Sequence, residues 1–69
     1  MTIDEAKMAI KLDMQVAFRG HVFQRVNHIM LCYERKERGF RFYLSVPDSR
    51  TTTTYAIPMN EAQLVPIED

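Results

Sequence analysis

The chain has 69 residues, nine basic and nine acidic side chains, 46% apolar residues and a single cysteine. A chain of this length makes one domain with one modest core, and a core that small gives little net stability by itself. With Cys32 alone there is no disulfide to help, and oligomerisation is the remaining common aid.

His21, His28 and Cys32 are the only histidine and cysteine ligands, without a Cys-x-x-Cys pair, so neither a structural zinc nor any cofactor is expected. No run approaches the roughly 20 apolar residues that span a bilayer. Asp4, Glu5 and Asp13 interrupt the N-terminal apolar residues, so the start does not read as a signal peptide. The lone cysteine fits a reducing compartment. A cytoplasmic protein without a membrane partner is expected, and the start at Met1, with no tag or linker, reads as a complete small protein.

Charge is unevenly placed. Residues 14–50 hold Arg19, Arg25, Arg35, Lys36, Arg38, Arg41 and Arg50 against Glu34, Glu37 and Asp48, a net of +4. Residues 1–13 carry −1 and residues 51–69 carry −3. Such asymmetry marks either an anion-binding face or a solvated surface whose ends neutralise its middle, and the zero total favours the second.

In chain order, Thr2 with Glu5 three places on forms a capping box, and a helix over about Ile3–Leu12 follows. Ile3, Ala6 and Ile10 make one apolar stripe, while Met8 and Leu12 fall on the far side and are candidates for self-association. Met14–Phe18 is a strand with Val16 and Phe18 on one face. Arg19-Gly20 breaks it as a turn or bulge, and His21–Val26 resumes with Val22 and Val26 on one face and Phe23 opposite. Asn27-His28 is a tight turn or a sharp bend.

Residues 29–46 are the strongest local signal, two alternating apolar runs around a charged turn ending in glycine. Pairing Tyr33 with Phe40, Leu31 with Phe42 and Ile29 with Leu44 puts all six on one face, expected to be the core face. Arg35, Lys36, Glu37 and Arg38 then form the loop, with Gly39 free to take the left-handed conformation. Met30, Cys32, Arg41, Tyr43 and Ser45 fall on the opposite, partly wet face.

Pro47–Arg50 is a turn cluster, and Thr51–Ile57 is a strand stopped by Pro58. Asn60 is placed to cap a helical turn through Glu61, Ala62 and Gln63, before a short edge strand over Leu64–Ile67.

The order is one helix, about five short strands and a helical turn before the last. Over Val16–Ile67 this resembles an SH3-like small β-barrel. Val16-Ala-Phe-Arg-Gly20 is similar to the opening strand, Gly39-Phe-Arg-Phe42 to the far side of the central hairpin, and Ile57–Leu64 to the turn before the closing strand. The expectation is a mostly β single domain: residues 1–13 as an N-terminal helix and residues 14–69 as the barrel. Signalling SH3 domains bind proline-rich peptides with an aromatic cluster and a tryptophan. This chain has no tryptophan, so the resemblance does not bring that activity with it.

Catalytic signals are weak. A mid-strand Cys32 reads as a small core hydrophobe, with nothing in the spacing to bring His21 or His28 to it. Glu34 and Glu37 sit in a basic turn, and Gly20 and Gly39 are too few for a phosphate loop. The feature above background is arginine interleaved with aromatics. Once core-facing positions are removed it reduces to Arg35, Lys36, Arg38, Arg41 and Tyr43, with Arg19 and Arg25. The favoured reading is a non-enzymatic binding or regulatory module with a protein partner, a second copy included. Nucleic acid is the alternative, and a Cys32-dependent enzyme comes third.

Overall fold

Thr2 and Glu5 start the chain as a closed capping box: the Glu5 N–H donates to Thr2 Oγ1 at 3.2 Å and the Thr2 N–H to Glu5 Oε1 at 2.8 Å. The Thr2 backbone N–H holds the Glu5 carboxyl below its ordinary range. Helix α1, Ile3–Lys11, follows in this computed structural model, which describes residues 1–48 and 50–66. Ala6 and Ala9 are buried, Ile3 and Ile10 half-buried, and Met8 and Leu12 exposed. The helix ends in a Schellman turn in which Met14 N–H donates to Ala9 O at 2.9 Å and Asp13 takes a positive φ of 50°. The Met1 ammonium donates to Met59 O at 3.0 Å and Ala62 O at 2.9 Å, tying the chain start to its last segment.

Six short strands follow: β1 Val16–Phe18, β2 His21–Phe23, β3 His28–Glu34, β4 Gly39–Pro47, β5 Thr54–Pro58 and β6 Gln63–Leu64. A 3₁₀ turn, Met59–Glu61, separates the last two. The strands make two antiparallel three-stranded sheets, ordered β2-β1-β6 and β3-β4-β5. Among the described residues no strand of one sheet pairs with a strand of the other, so the ladder does not close into a barrel.

Between β1 and β2, Arg19 and Gly20 form a two-residue turn with φ of 49° and 80°, the mirror-image type that matches strand twist. Between β2 and β3 the chain bends. Val26 is buried at the bend, and the Asn27 N–H donates to Ser45 O at 2.7 Å. The core is built from Ala6, Ala9, Met14, Val16, Val26, Leu44, Val46, Ile57, Met59 and Ala62. Leu44, Val16 and Val46 are the largest fully buried side chains.

The central hairpin has the expected register: Tyr33 pairs with Phe40, Leu31 with Phe42 and Ile29 with Leu44. Its burial differs from expectation. Of the six, Leu44 is fully buried and Ile29 packs against the core, but Leu31 is 58%, Tyr33 52%, Phe40 70% and Phe42 38% exposed. The reason is length. At about 3.3 Å per residue, the nine residues of β4 far outrun the three of β1 and two of β6. The core layer therefore ends midway along the hairpin, in a molecule 42 × 27 × 21 Å in extent.

Smaller differences have local causes. Arg38, not Gly39, takes the left-handed conformation, with φ of 53°. In β2, Phe23 packs on the core and Val22 is exposed, because the bend ends the alternation before Val26. The fifth strand starts at Thr54, since Asp48 organises the preceding turn by accepting from Arg50 N–H at 2.9 Å and Thr51 Oγ1–H at 3.3 Å. The helical turn starts at Met59 after Pro58, with Asn60 inside it and no side-chain cap. The last strand is Gln63–Leu64; the expected Ile67 end lies outside the described residues.

Two predictions follow from this packing. Leu44→Ala should cost about 2–5 kcal/mol, enough to unfold a domain this small, whereas Phe40→Ser should cost only about 0.5–1.5 kcal/mol, the value of its pair with Tyr33. Gly20→Ala should destabilise by about 1–2 kcal/mol because of its positive φ. Gly39→Ala should be well tolerated, since an added Cβ would meet only Glu37 O at 3.9 Å. Equilibrium unfolding of the four variants checks both.

Candidate protein-binding surface

The outer half of the β3–β4 hairpin is a two-sided blade. Strand alternation places Leu31, Tyr33, Phe40 and Phe42 on the face continuous with Ile29, Leu44 and Val46, so an apolar surface emerges from the core and continues into solvent. Tyr33 and Phe40, directly opposite one another, meet edge to face with ring centroids 5.2 Å apart. At roughly 150–250 Å² per large aromatic side chain, the exposed fractions give a patch on the order of 400 Å². That is the size of the largest apolar patch on ordinary monomers, which is often functional, here on a chain of 8.1 kDa.

The opposite face carries half-buried Met30, Cys32, Glu34, Arg41 and Tyr43. The Tyr43 hydroxyl donates to Glu34 Oε1. That bond raises the Tyr43 pKa above its ordinary value, with a smaller opposing effect from the Arg41 charge. Arg35, Lys36, Glu37 and Arg38 are all exposed at the tip, so a basic end caps an apolar side.

The predicted binding residues fall into separate groups. Arg35, Lys36, Arg38, Arg41 and Tyr43 share the hairpin, Arg41 and Tyr43 on its polar side and the other three at its tip. Arg19 belongs to the other sheet's turn, its guanidinium 5.1 Å from the Phe18 ring centre and 3.9 Å from Glu61 Oε1. Arg25 lies in the bend, beside a shallow depression bordered by Thr51–Thr54. Met8 on α1 and Leu12 at its C-cap are both exposed. Leu31, Tyr33, Phe40 and Phe42, expected in the core from their alternation, are exposed instead. Their exposure follows from the disparity in strand lengths, which alternation alone does not encode.

A second concavity, an open cleft of about 630 Å³, lies where β2 and β5 fail to meet. Phe18, Val22, Phe23 and Tyr55 line it, the Phe23 and Tyr55 rings 6.2 Å apart. The Tyr55 hydroxyl donates to Asp48 Oδ2 at 3.1 Å, which raises the Tyr55 pKa. The Arg50 backbone N–H is the main cause that lowers that of Asp48. His21 borders this cleft, while His28 and Cys32 are on β3 in the other sheet. Among the described residues no group of three or more histidine, cysteine or carboxylate side chains is placed to hold a metal ion. No helix among them is long and apolar enough to cross a membrane.

No protein-family model, curated protein or solved structure matches this chain.

The Tyr43–Glu34 bond is open to direct test. Glu34→Gln removes the charge that disfavours the phenolate, so the Tyr43 pKa should fall toward its ordinary value. Spectrophotometric titration in a Tyr33→Phe, Tyr55→Phe background isolates that group; an unchanged value would show the bond is not formed in solution.

Proposed function

We propose that this protein is a non-enzymatic binding module that docks a protein through the apolar side of its hairpin. The observation that supports the reading is the contiguous exposure of Leu31, Tyr33, Phe40 and Phe42. Two of these are phenylalanines, and all four sit on a paired β-ladder that fixes their backbone. A preordered surface loses little entropy on binding, and aromatic anchors dominate protein interfaces. The basic tip at Arg35, Lys36 and Arg38 selects a partner whose apolar patch has an acidic rim, and its charges act mainly on association rate and orientation. The element order, with a 3₁₀ turn just before the last strand, supports reading the scaffold as an SH3-like barrel left open at the β2–β5 seam.

One observation supports nucleic acid as a second reading. The exposed rings of Tyr33 and Phe40 flank the basic loop, an arrangement on which unpaired bases can stack.

The two readings separate by salt and by residue. For a protein partner recovered from extract and then purified, Phe40→Ser with Leu31→Ser should weaken binding about 100-fold or more, given hot-spot costs of roughly 2–4 kcal/mol. Neutralising Arg35, Lys36 and Arg38 should mainly slow association. Fluorescence anisotropy with short single-stranded RNA and DNA provides the other arm. Tight binding to either that falls steeply with salt, together with no loss of protein partner in the double variant, would replace the first reading by the second.

A further inference from the structure

β3 is an outer strand of its sheet. It pairs with β4 along one side, and among the described residues no strand pairs with the other. Seven residues long, it is not shortened as protected edges often are. It has no proline and no lysine, and its one carboxylate, Glu34, is at its end. A strand in this state presents unpaired N–H and C=O groups to any chain that can align with them.

The sequence of β3 is complementary to itself. Read antiparallel about a twofold axis at Leu31, His28-Ile-Met-Leu-Cys-Tyr-Glu34 sets Leu31 against Leu31 of a second copy. Met30 then faces Cys32, Ile29 faces Tyr33, and His28 faces Glu34. Every inner pair is apolar against apolar, and each end joins an imidazole to a carboxylate. Neighbouring registers lose this match. Centring on Met30 sets Glu34 against Val26, and centring on Cys32 sets Glu34 against Met30 and Ile29 against Arg35. Glu34 keeps acceptor capacity for such a contact although it already accepts from Tyr43, because a carboxylate has about four lone-pair sites.

We infer that two copies of this chain pair antiparallel along β3, centred on Leu31, to form one six-stranded sheet. The pairing satisfies the open edge of both copies and supplies the stabilisation that a 69-residue core lacks. It also places the two apolar hairpin faces side by side, because paired residues share a face. The doubled platform rests on the protein-docking reading; the pairing itself does not. The interface differs from the helix surface of Met8 and Leu12, which the dimer leaves free.

Sedimentation velocity over a concentration series, combined with site-directed crosslinking, tests the register. The native chain should show a concentration-dependent dimer. In a Cys32→Ser background, Leu31→Cys should form a covalent dimer on mild oxidation, since directly opposed residues meet disulfide spacing. Tyr33→Cys in the same background should not, because it faces Ile29 of the second copy. Glu34→Lys should weaken the dimer about tenfold, two such end pairs being lost per dimer. The exchange His28→Glu with Glu34→His should restore it. Circular dichroism confirms that each variant is folded. A chain that stays monomeric at every concentration, equal crosslinking at positions 31 and 33, or loss of the dimer on Met8→Gln with Leu12→Gln would overturn the inference. A dimer that forms in this register while Phe40→Ser leaves partner binding intact would sink only the docking reading.

Discussion

The structure depends on the burial of Leu44, Ser45 and Val46 in β4. That strand pairs with β3 on one side and β5 on the other, and its inward side chains meet Val16, Val26 and Ile57 in the core. Ser45 is buried too, and its carbonyl accepts the Asn27 N–H that closes the bend between the two sheets. One stretch of three residues therefore holds the core, the central ladder and the bend at which the chain passes between sheets. The helix adds only alanines to full burial, so it closes the core without enlarging it.

A core so small sets a limit on how much surface it can cover. Its elements are two to nine residues long, and β4 and β3 are the longest of its strands. The ladder hydrogen bonds carry the strands on past the core, because pairing between two strands needs no third layer. What emerges is a rigid apolar face without a cover. In a larger domain a second sheet would cover it; here it stays exposed. The polar ladder on the other side, from Glu34 to Tyr43, and the charged tip keep one side and the end of the blade compatible with water.

The sequence was legible wherever a local rule was sufficient. The spacing of Thr2 and Glu5 matches a capping box at a helix start, and the alternation of residues 29–46 excludes a one-residue slip, which would split the apolar set. Exposure of that set was not legible, because burial depends on how far other elements extend, which alternation does not encode. The turn at Arg38 was misassigned for a related reason. Glycine is the residue that most easily takes positive φ, but the four-residue loop places that conformation one position earlier, and arginine accepts it. The Asp48 turn was recognisable as a turn but not in extent, since its hydrogen bonds draw in Thr51 and Tyr55 and shorten the strand. The binding set chosen from arginines and aromatics kept Arg41 and Tyr43, which the structure puts on the polar side, and left out the four most exposed apolar residues of the hairpin.

Exposure and edge together narrow what the hairpin can be for. An isolated hydrophobic patch fits many partners, and an isolated open edge is a hazard, since it accepts almost any extended segment. β3 is both the open edge and one half of the patch. A ligand strand added there would extend the sheet and the apolar face at once, so its side chains must alternate in phase with Ile29, Leu31 and Tyr33 on one side and Met30 and Cys32 on the other. That requirement excludes most sequences. β3 itself meets it, with its charges falling at the ends instead of the middle. The basic loop begins immediately after Glu34, so centring the pair on Cys32 would set Arg35 against Ile29, and centring it on Met30 would set Arg35 against Arg25; both registers are disfavoured.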